Sequence, residues 1–191
     1  MLFYEKNKGM NTSKIGNLLA YISSKVKDIN LRKLIKLVYL IDEESVSSRG
    51  LSVTWLTYYV WEKGPVAPCI YDIKQNGGNF SKYISVHRNS EEKVIVTPSV
   101  NEKESALQFS KKELKLIDAI IRKYGSLSAD ELSDITHRPG GLWDMAKKKY
   151  NPDFKSSNGC SDIELNLMDL LQGDDEKMSV YNDAYEIAVM C

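Results

Sequence analysis

Leu31-Arg32-Lys33-Leu34-Ile35-Lys36-Leu37-Val38-Tyr39-Leu40-Ile41-Asp42 is the stretch on which the fold turns. Leu31, Leu34, Ile35, Val38 and Ile41 recur at helical spacing and form one apolar stripe. Asn30 precedes them as a cap whose side-chain oxygen can accept an amide hydrogen of the first turn. Gly50 ends the helix as a left-handed stop. Arg32, Lys33 and Lys36 fall off the stripe, and a basic outer face of this kind reads as a solvated surface. Asp42-Glu43-Glu44 reads as a solvated helix end. Consecutive helical residues point about 100° apart, so these carboxylates splay instead of converging for acid–base work.

Working towards the N-terminus, Ile15, Leu18, Leu19, Ile22 and Val26 make a second stripe, with Thr12 or Ser13 as its cap. Working forwards, Val53 to Trp61 is rich in β-branched and aromatic residues and predicts a strand, although a buried helix would carry the same residues. Gly64-Pro65 breaks it, and the proline predicts a short helix over 65–75, stopped at Gly77-Gly78. Tyr83–Val86 and Val94–Thr97 read as a hairpin. Residues 89–104 read as a variable loop between two sub-lobes of one core.

From there on helices dominate. Ser110 with Glu113, Ser128 with Glu131, and Ser161 with Glu164 each match the reciprocal capping box. Leu114, Ile117, Ile120, Ile121 and Tyr124 give the first of these helices its stripe, ended by Gly125. Short helices are expected over 129–136, from Leu142 onward, and around Ile163, Leu167, Leu170 and Leu171. Asp174 caps a last one, with Val180, Ala184, Ile187 and Ala188 inward. The expectation is an α+β fold, a mainly helical single domain with a small antiparallel β element, spanning 11–191 behind a flexible N-terminus over 1–10.

The chain has 26 basic and 26 acidic residues. This balance gives no global field to hold a phosphate backbone, which argues against a nucleic-acid partner and leaves room only for a local basic patch. No apolar run approaches the roughly 20 residues needed to span a bilayer, and the first residues lack the apolar core of a signal peptide. A cytoplasmic location without membrane contact is expected. Cys69, Cys160 and Cys191 are too scattered for a zinc site and odd in number for a disulfide framework. Cys69 reads as buried and the other two as exposed thiols.

A catalytic reading needs a nucleophile, a base and a stabiliser, or a set of metal ligands. His87 stands in the hairpin with no recognisable partner. His137 stands at a helix end before a glycine-rich turn and Trp143, where a lone histidine more commonly satisfies backbone groups than performs catalysis. Gly140-Gly141 is too short for a phosphate cradle. No catalytic residue, metal site or cofactor emerges, so an enzyme is not expected. Trp61, Gly64, Pro65 and Val66 fit two roles, a sharp turn beside core volume and an aromatic anchor pocket for a protein partner.

Three segments taken together carry a resemblance: Lys33 to Asp42, Trp61-Glu62-Lys63-Gly64-Pro65-Val66 followed by Ile70-Tyr71-Asp72, and Ser128 through His137 to Trp143. In this order they resemble the SocA-like antitoxin family, the Panacea domain. The residues that match are Lys33, Leu34, Tyr39, Asp42, Trp61, Gly64, Pro65, Val66, Tyr71, His137 and Trp143. The chain departs from the family's usual pattern at Ile35, Lys63 and Gly141-Leu142. The resemblance implies a bacterial or phage antitoxin of a toxin–antitoxin system that neutralises a cognate protein toxin by direct binding. Within the family an adaptor role towards a protease also occurs, and a mobile-element protein binding a host factor is the other reading.

Overall fold

The computed structural model describes residues 10–190, and in it the Leu31 stretch becomes the central helix. The first helix, α1 (Thr12–Lys25), is capped by Asn11 rather than by Thr12 or Ser13, its side chain accepting from the Lys14 amide at 2.9 Å. Ile15, Leu18, Leu19, Ile22 and Val26 are all buried. The second, α2 (Leu31–Arg49), starts at Asn30, whose side chain accepts from the Lys33 amide at 3.0 Å, and ends at Gly50 with φ of 67°.

The burial of α2 overturns the amphipathic reading. Leu34, Leu37, Val38, Tyr39 and Ile41 are inaccessible, and Lys36, Asp42, Glu43 and Ser45 are buried with them. From Leu34 to Glu43 the helix is packed on every side and has no face left for water, whereas Arg32 and Glu44 just outside that stretch are exposed. Lys36 and the Asp42-Glu43 pair are therefore interior groups, not the solvated surface that charge alone implies.

The segment after α2 is shaped by one of those groups. The Asp42 carboxylate accepts from the Val53 amide at 2.8 Å and the Thr54 amide at 3.0 Å. The hydroxyls of Ser52, Thr54 and Tyr58 also donate to it. Residues 51–57 wrap round this carboxylate, so the strand expected from Val53 shrinks to β1 (Tyr58–Trp61). β2 (Gly64–Val66) returns antiparallel after Glu62-Lys63, with Trp61 opposite Gly64 and Tyr59 opposite Val66. Pro65 thus lies in an edge strand, where its missing amide hydrogen is tolerated, and does not open a helix. The proline in a helix's first turn is Pro68, in α3 (Pro68–Tyr71), and a 3-10 turn over Asp72–Lys74 completes the segment.

β3 (Ile84–Arg88) and β4 (Val94–Pro98) form the expected hairpin, which docks on the α1–α2 connection through the Val96 amide and the Ile29 carbonyl at 2.9 Å. Half of residues 89–104 is regular, because β4 and the start of α4 (Glu102–Ala106) occupy it, and the rest is turn. α4 packs on α1, so no division into lobes occurs there. α5 (Lys111–Tyr124) and α6 (Ala129–Thr136) carry both reciprocal bonds of the capping boxes at Ser110 and Ser128, and both helices lie against α2.

α7 (Leu142–Tyr150) begins after the Pro139-Gly140-Gly141 turn. The third capping-box match fails. Ser161 donates to the Val60 carbonyl at 2.6 Å, and β5 (Glu164–Leu165) joins the free edge of β1, giving the sheet order β2-β1-β5. A 3-10 stretch over Leu167–Leu171 packs on α2.

α8 (Asp175–Met190) follows, its start held by Asp174, which accepts from the Lys177 amide at 3.1 Å. Tyr181, Ala184 and Ala188 are half-buried, the Tyr181 and Tyr185 rings meet Trp55 at 5.1 and 5.9 Å, and Val180, Tyr185 and Ile187 are exposed. Among the described residues the architecture is a mainly helical α+β single domain with small antiparallel sheets. None of its helices is long and apolar enough to cross a membrane. Cys69 and Cys160 are both free and partly buried, where full burial and exposure were expected. Cys191 and residues 1–9 lie outside the described residues, and Met10 already packs against the core.

Candidate functional site

Gly64 has φ of +106°, a conformation that residues with a side chain rarely adopt. A Cβ placed on it would stand 2.5 Å from Lys36 Nζ, 2.8 Å from Thr136 Oγ1 and 3.0 Å from His137 Nε2. Three segments distant in sequence therefore meet at one backbone position: the middle of α2, the start of β2 and the end of α6. The Pro65 carbonyl accepts from Lys36 Nζ at 3.2 Å. His137 stacks on Trp143 with ring centres 3.7 Å apart, and Trp143 Nε1 donates to the Trp61 carbonyl at 2.8 Å. Trp61 meets Tyr71 edge-on at 5.0 Å. The fold thus brings together Trp61, Gly64, Pro65, Val66, Tyr71, His137 and Trp143.

The remaining residues that carried the resemblance build the frame. Lys33 donates to the Gly125 carbonyl at 2.5 Å and ties α2 to the end of α5. Leu34 is core. Tyr39 donates to Glu43 Oε1 at 2.8 Å, and the Arg138 guanidinium grips both oxygens of Glu43 at 3.0 Å. This two-point clasp fixes the residue next to His137 on α2. Asp42 organises the loop that leads into β1. Glu43, Arg138 and Thr136 escaped the sequence reading, since pairing across α2 and α6 leaves no mark in local spacing.

Lys36 is the residue the reading missed with the larger consequence. A signal was present: between Leu34 and Ile41 it is the only non-apolar side chain apart from the Tyr39 hydroxyl, and a helix apolar all round is a buried helix. Burial, reinforced by the nearby Arg32 charge, lowers its ammonium to about 7. His137 is lowered to about 4, by burial first and then by Lys36 and Lys147, so its imidazole is neutral near pH 7. Its Nε2 and the Trp61 Nε1 have no hydrogen-bond partner among the described residues. Burial pushes the Cys69 thiol up to about 12, which keeps it protonated and unreactive. Among the described residues no three His, Cys, Asp or Glu side chains gather as metal ligands.

On its outer side the convergence opens into a cleft of about 250 Å³ between Arg32, Ile35, Lys36, Trp61, Lys63 and Tyr71, closed at one end by residues 158–160. A wider groove of about 610 Å³ shares Arg32, Ile35 and Tyr71 with it and runs on to Lys93 and Val94 beside the β3–β4 turn. The Trp61–Val66 face and the hairpin are two ends of one depression. Two departures from the family pattern, Ile35 and Lys63, lie in the cleft itself. Chemically the site offers one buried amine, Lys36, between the aromatic side chains of Trp61 and Tyr71.

Residues 34–144 match the family described as antitoxin SocA-like, Panacea domain. The match covers more than half of the chain, from the first turn of α2 into α7, and includes Lys36, Gly64, His137 and Trp143. The chain belongs to this antitoxin family. No curated protein and no solved structure matches it.

Proposed function

We propose that this chain is the antitoxin of a toxin–antitoxin pair and holds its toxin inactive by direct, stoichiometric protein–protein binding, without catalysis of its own. The observation that carries the reading is the family membership, whose matched span contains the whole convergence at Gly64. The site agrees with it. Lys36 is the group an enzyme reading would name as nucleophile, since a buried amine near neutrality is reactive. Its hydrogen bond, however, goes to a backbone carbonyl, and among the described residues no carboxylate or imidazole lies within hydrogen-bond reach to act as its base. Trp61 and Tyr71 beside an open cleft are the residue types that dominate binding energy at interfaces.

The test is co-expression with the products of the adjacent genes. A 1:1 complex that survives gel filtration, and protection of cells only at roughly equal dose, are the expected results. Rescue at strongly substoichiometric dose would instead mean turnover, by an enzyme or by a recycling protease adaptor. Failure to bind any neighbouring gene product removes the antitoxin reading.

A further inference from the structure

Lys36 is 3% exposed, yet it lines an open cleft. An ammonium carries three donors, and the acceptor it has here is the Pro65 carbonyl at 3.2 Å. Among the described residues no carboxylate pairs with it, and the charged group acting on it most strongly is another cation, Arg32. A buried, half-satisfied charge costs stability. The same volume could be filled by an apolar side chain at lower cost. The arrangement is one half of an ion pair held ready, with no other half among the described residues.

Resting on the antitoxin reading, we propose that this cleft is where the toxin docks, and that the toxin enters it with an acidic side chain whose carboxylate reaches Lys36 between Trp61 and Tyr71. The walls supply the anchor: Trp61 is half-buried and edge-on to Tyr71, both lining the cleft. The surroundings supply the attraction. In a chain with no net charge, the cleft and the adjoining groove hold seven Lys or Arg side chains against four Asp or Glu. Such a local excess steers and orients an acidic partner.

A carboxylate side chain fits better than a phosphate backbone, which needs a row of disengaged cations. Here Arg32 is paired with Asp130, Lys33 with the Gly125 carbonyl, Lys93 with Glu91, and Lys74 lies over the Tyr71 ring. Lys27 and Lys63 carry no such partner but are exposed to water, so Lys36 is the one buried cation placed to read an acid. The neutral chemistry of the floor, a backbone carbonyl and a neutral imidazole, leaves that single charge to set the register.

The experiment measures affinity for the co-purifying product of the adjacent gene, with the wild-type chain, Lys36→Met, Trp61→Ala and a control on the outer face of α5, Lys115→Glu. Lys36→Met keeps the aliphatic stem and deletes the charge. It is expected to melt no lower than wild type while binding about thirtyfold or more weaker, the effect of stranding one member of a desolvated pair. Lys115→Glu is expected to bind as wild type. Changing each Asp and Glu of the toxin to Asn or Gln should reveal one position with the same loss and no further loss when combined with Lys36→Met. Binding unchanged in Lys36→Met, with the wild-type complex intact, overturns the docking assignment while the antitoxin function stands. Retention of wild type on single-stranded DNA or RNA, abolished by Lys36→Met, would assign the cleft to nucleic acid and also overturn it. No complex with wild type removes both readings together.

Discussion

Gly64→Ala isolates the geometry on which the site depends. Two separate penalties apply. At φ of +106° an added Cβ meets its own backbone, at a cost of about 1–3 kcal/mol. The Cβ also stands 2.5 Å from Lys36 Nζ and 2.8 Å from Thr136 Oγ1. Thr136 is buried with its hydroxyl donating to the Ser133 carbonyl and has no room to retreat, while Lys36 Nζ can swing towards the cleft only by leaving the Pro65 carbonyl. Overpacking of this kind costs about 1–3 kcal/mol. Together the two come to about 2–6 kcal/mol, which for a chain of this size lowers Tm by about 4–24 °C.

Thermal unfolding followed by circular dichroism measures the drop, and two comparisons separate its parts. Gly140 also has positive φ, 75°, but nothing lies within 4 Å of its Cβ position, so Gly140→Ala should show the backbone penalty alone. Combining Gly64→Ala with Lys36→Met removes the struck atom, and part of the loss should return. A Gly64→Ala protein that melts within a degree of wild type refutes the convergence. Equal losses at Gly64 and Gly140, with no relief from Lys36→Met, would leave the backbone strain and refute the steric part.

Asp42→Ala should destabilise through the two stranded backbone amides of Val53 and Thr54, at about 1–3 kcal/mol each, measured by chemical denaturation. Asp42→Asn should be milder, because its remaining oxygen can keep those amides while the Thr54 and Tyr58 hydroxyls turn to accept; equal losses for the two would contradict this. Trp143→Ala should cost about 3–5 kcal/mol, since the ring is 4% exposed, stacked on His137 and bonded to Trp61. An unchanged Tm with lost toxin binding would place Trp143 in the interface instead.

Lys36 gives a pH dependence of definite sign. Folded it titrates near 7 and unfolded near 10.5, so between these values the unfolded chain holds the extra proton and wild-type stability gains on Lys36→Met as pH rises. The groups around it are Arg32 on the same helix, Lys63 in the β1–β2 turn, and Thr136 and His137 from α6; His137 is already neutral in that range. A Tm difference that stays flat from pH 7 to 10 would refute the burial of the charge.

Local patterns reached far into this fold. The stripes of α1 and α5, the caps at Asn30, Ser110 and Ser128, the stop at Gly50 and the β3–β4 hairpin are all set by residues within a turn or two of one another, so they are legible one segment at a time. Where a distant group competes for the same backbone, the local reading failed. Asp42 takes the Val53 and Thr54 amides from a strand, β1 recruits Glu164 from a capping box, and Trp61 and Gly64 pair across a turn that puts Pro65 in a strand.

The sequence by itself determined the helical framework, the family, and which residues of β2, α6 and α7 belong to one pattern. Periodicity and side-chain chemistry are properties of neighbouring residues, so they survive without coordinates. Only the tertiary structure decided that the middle of α2, Leu34 to Glu43, is enclosed on all sides, because burial depends on what the rest of the chain lays against a helix. That enclosure turned Lys36 from a surface lysine into a cation beside Gly64 and His137, and the cleft exists because three distant segments close on that point.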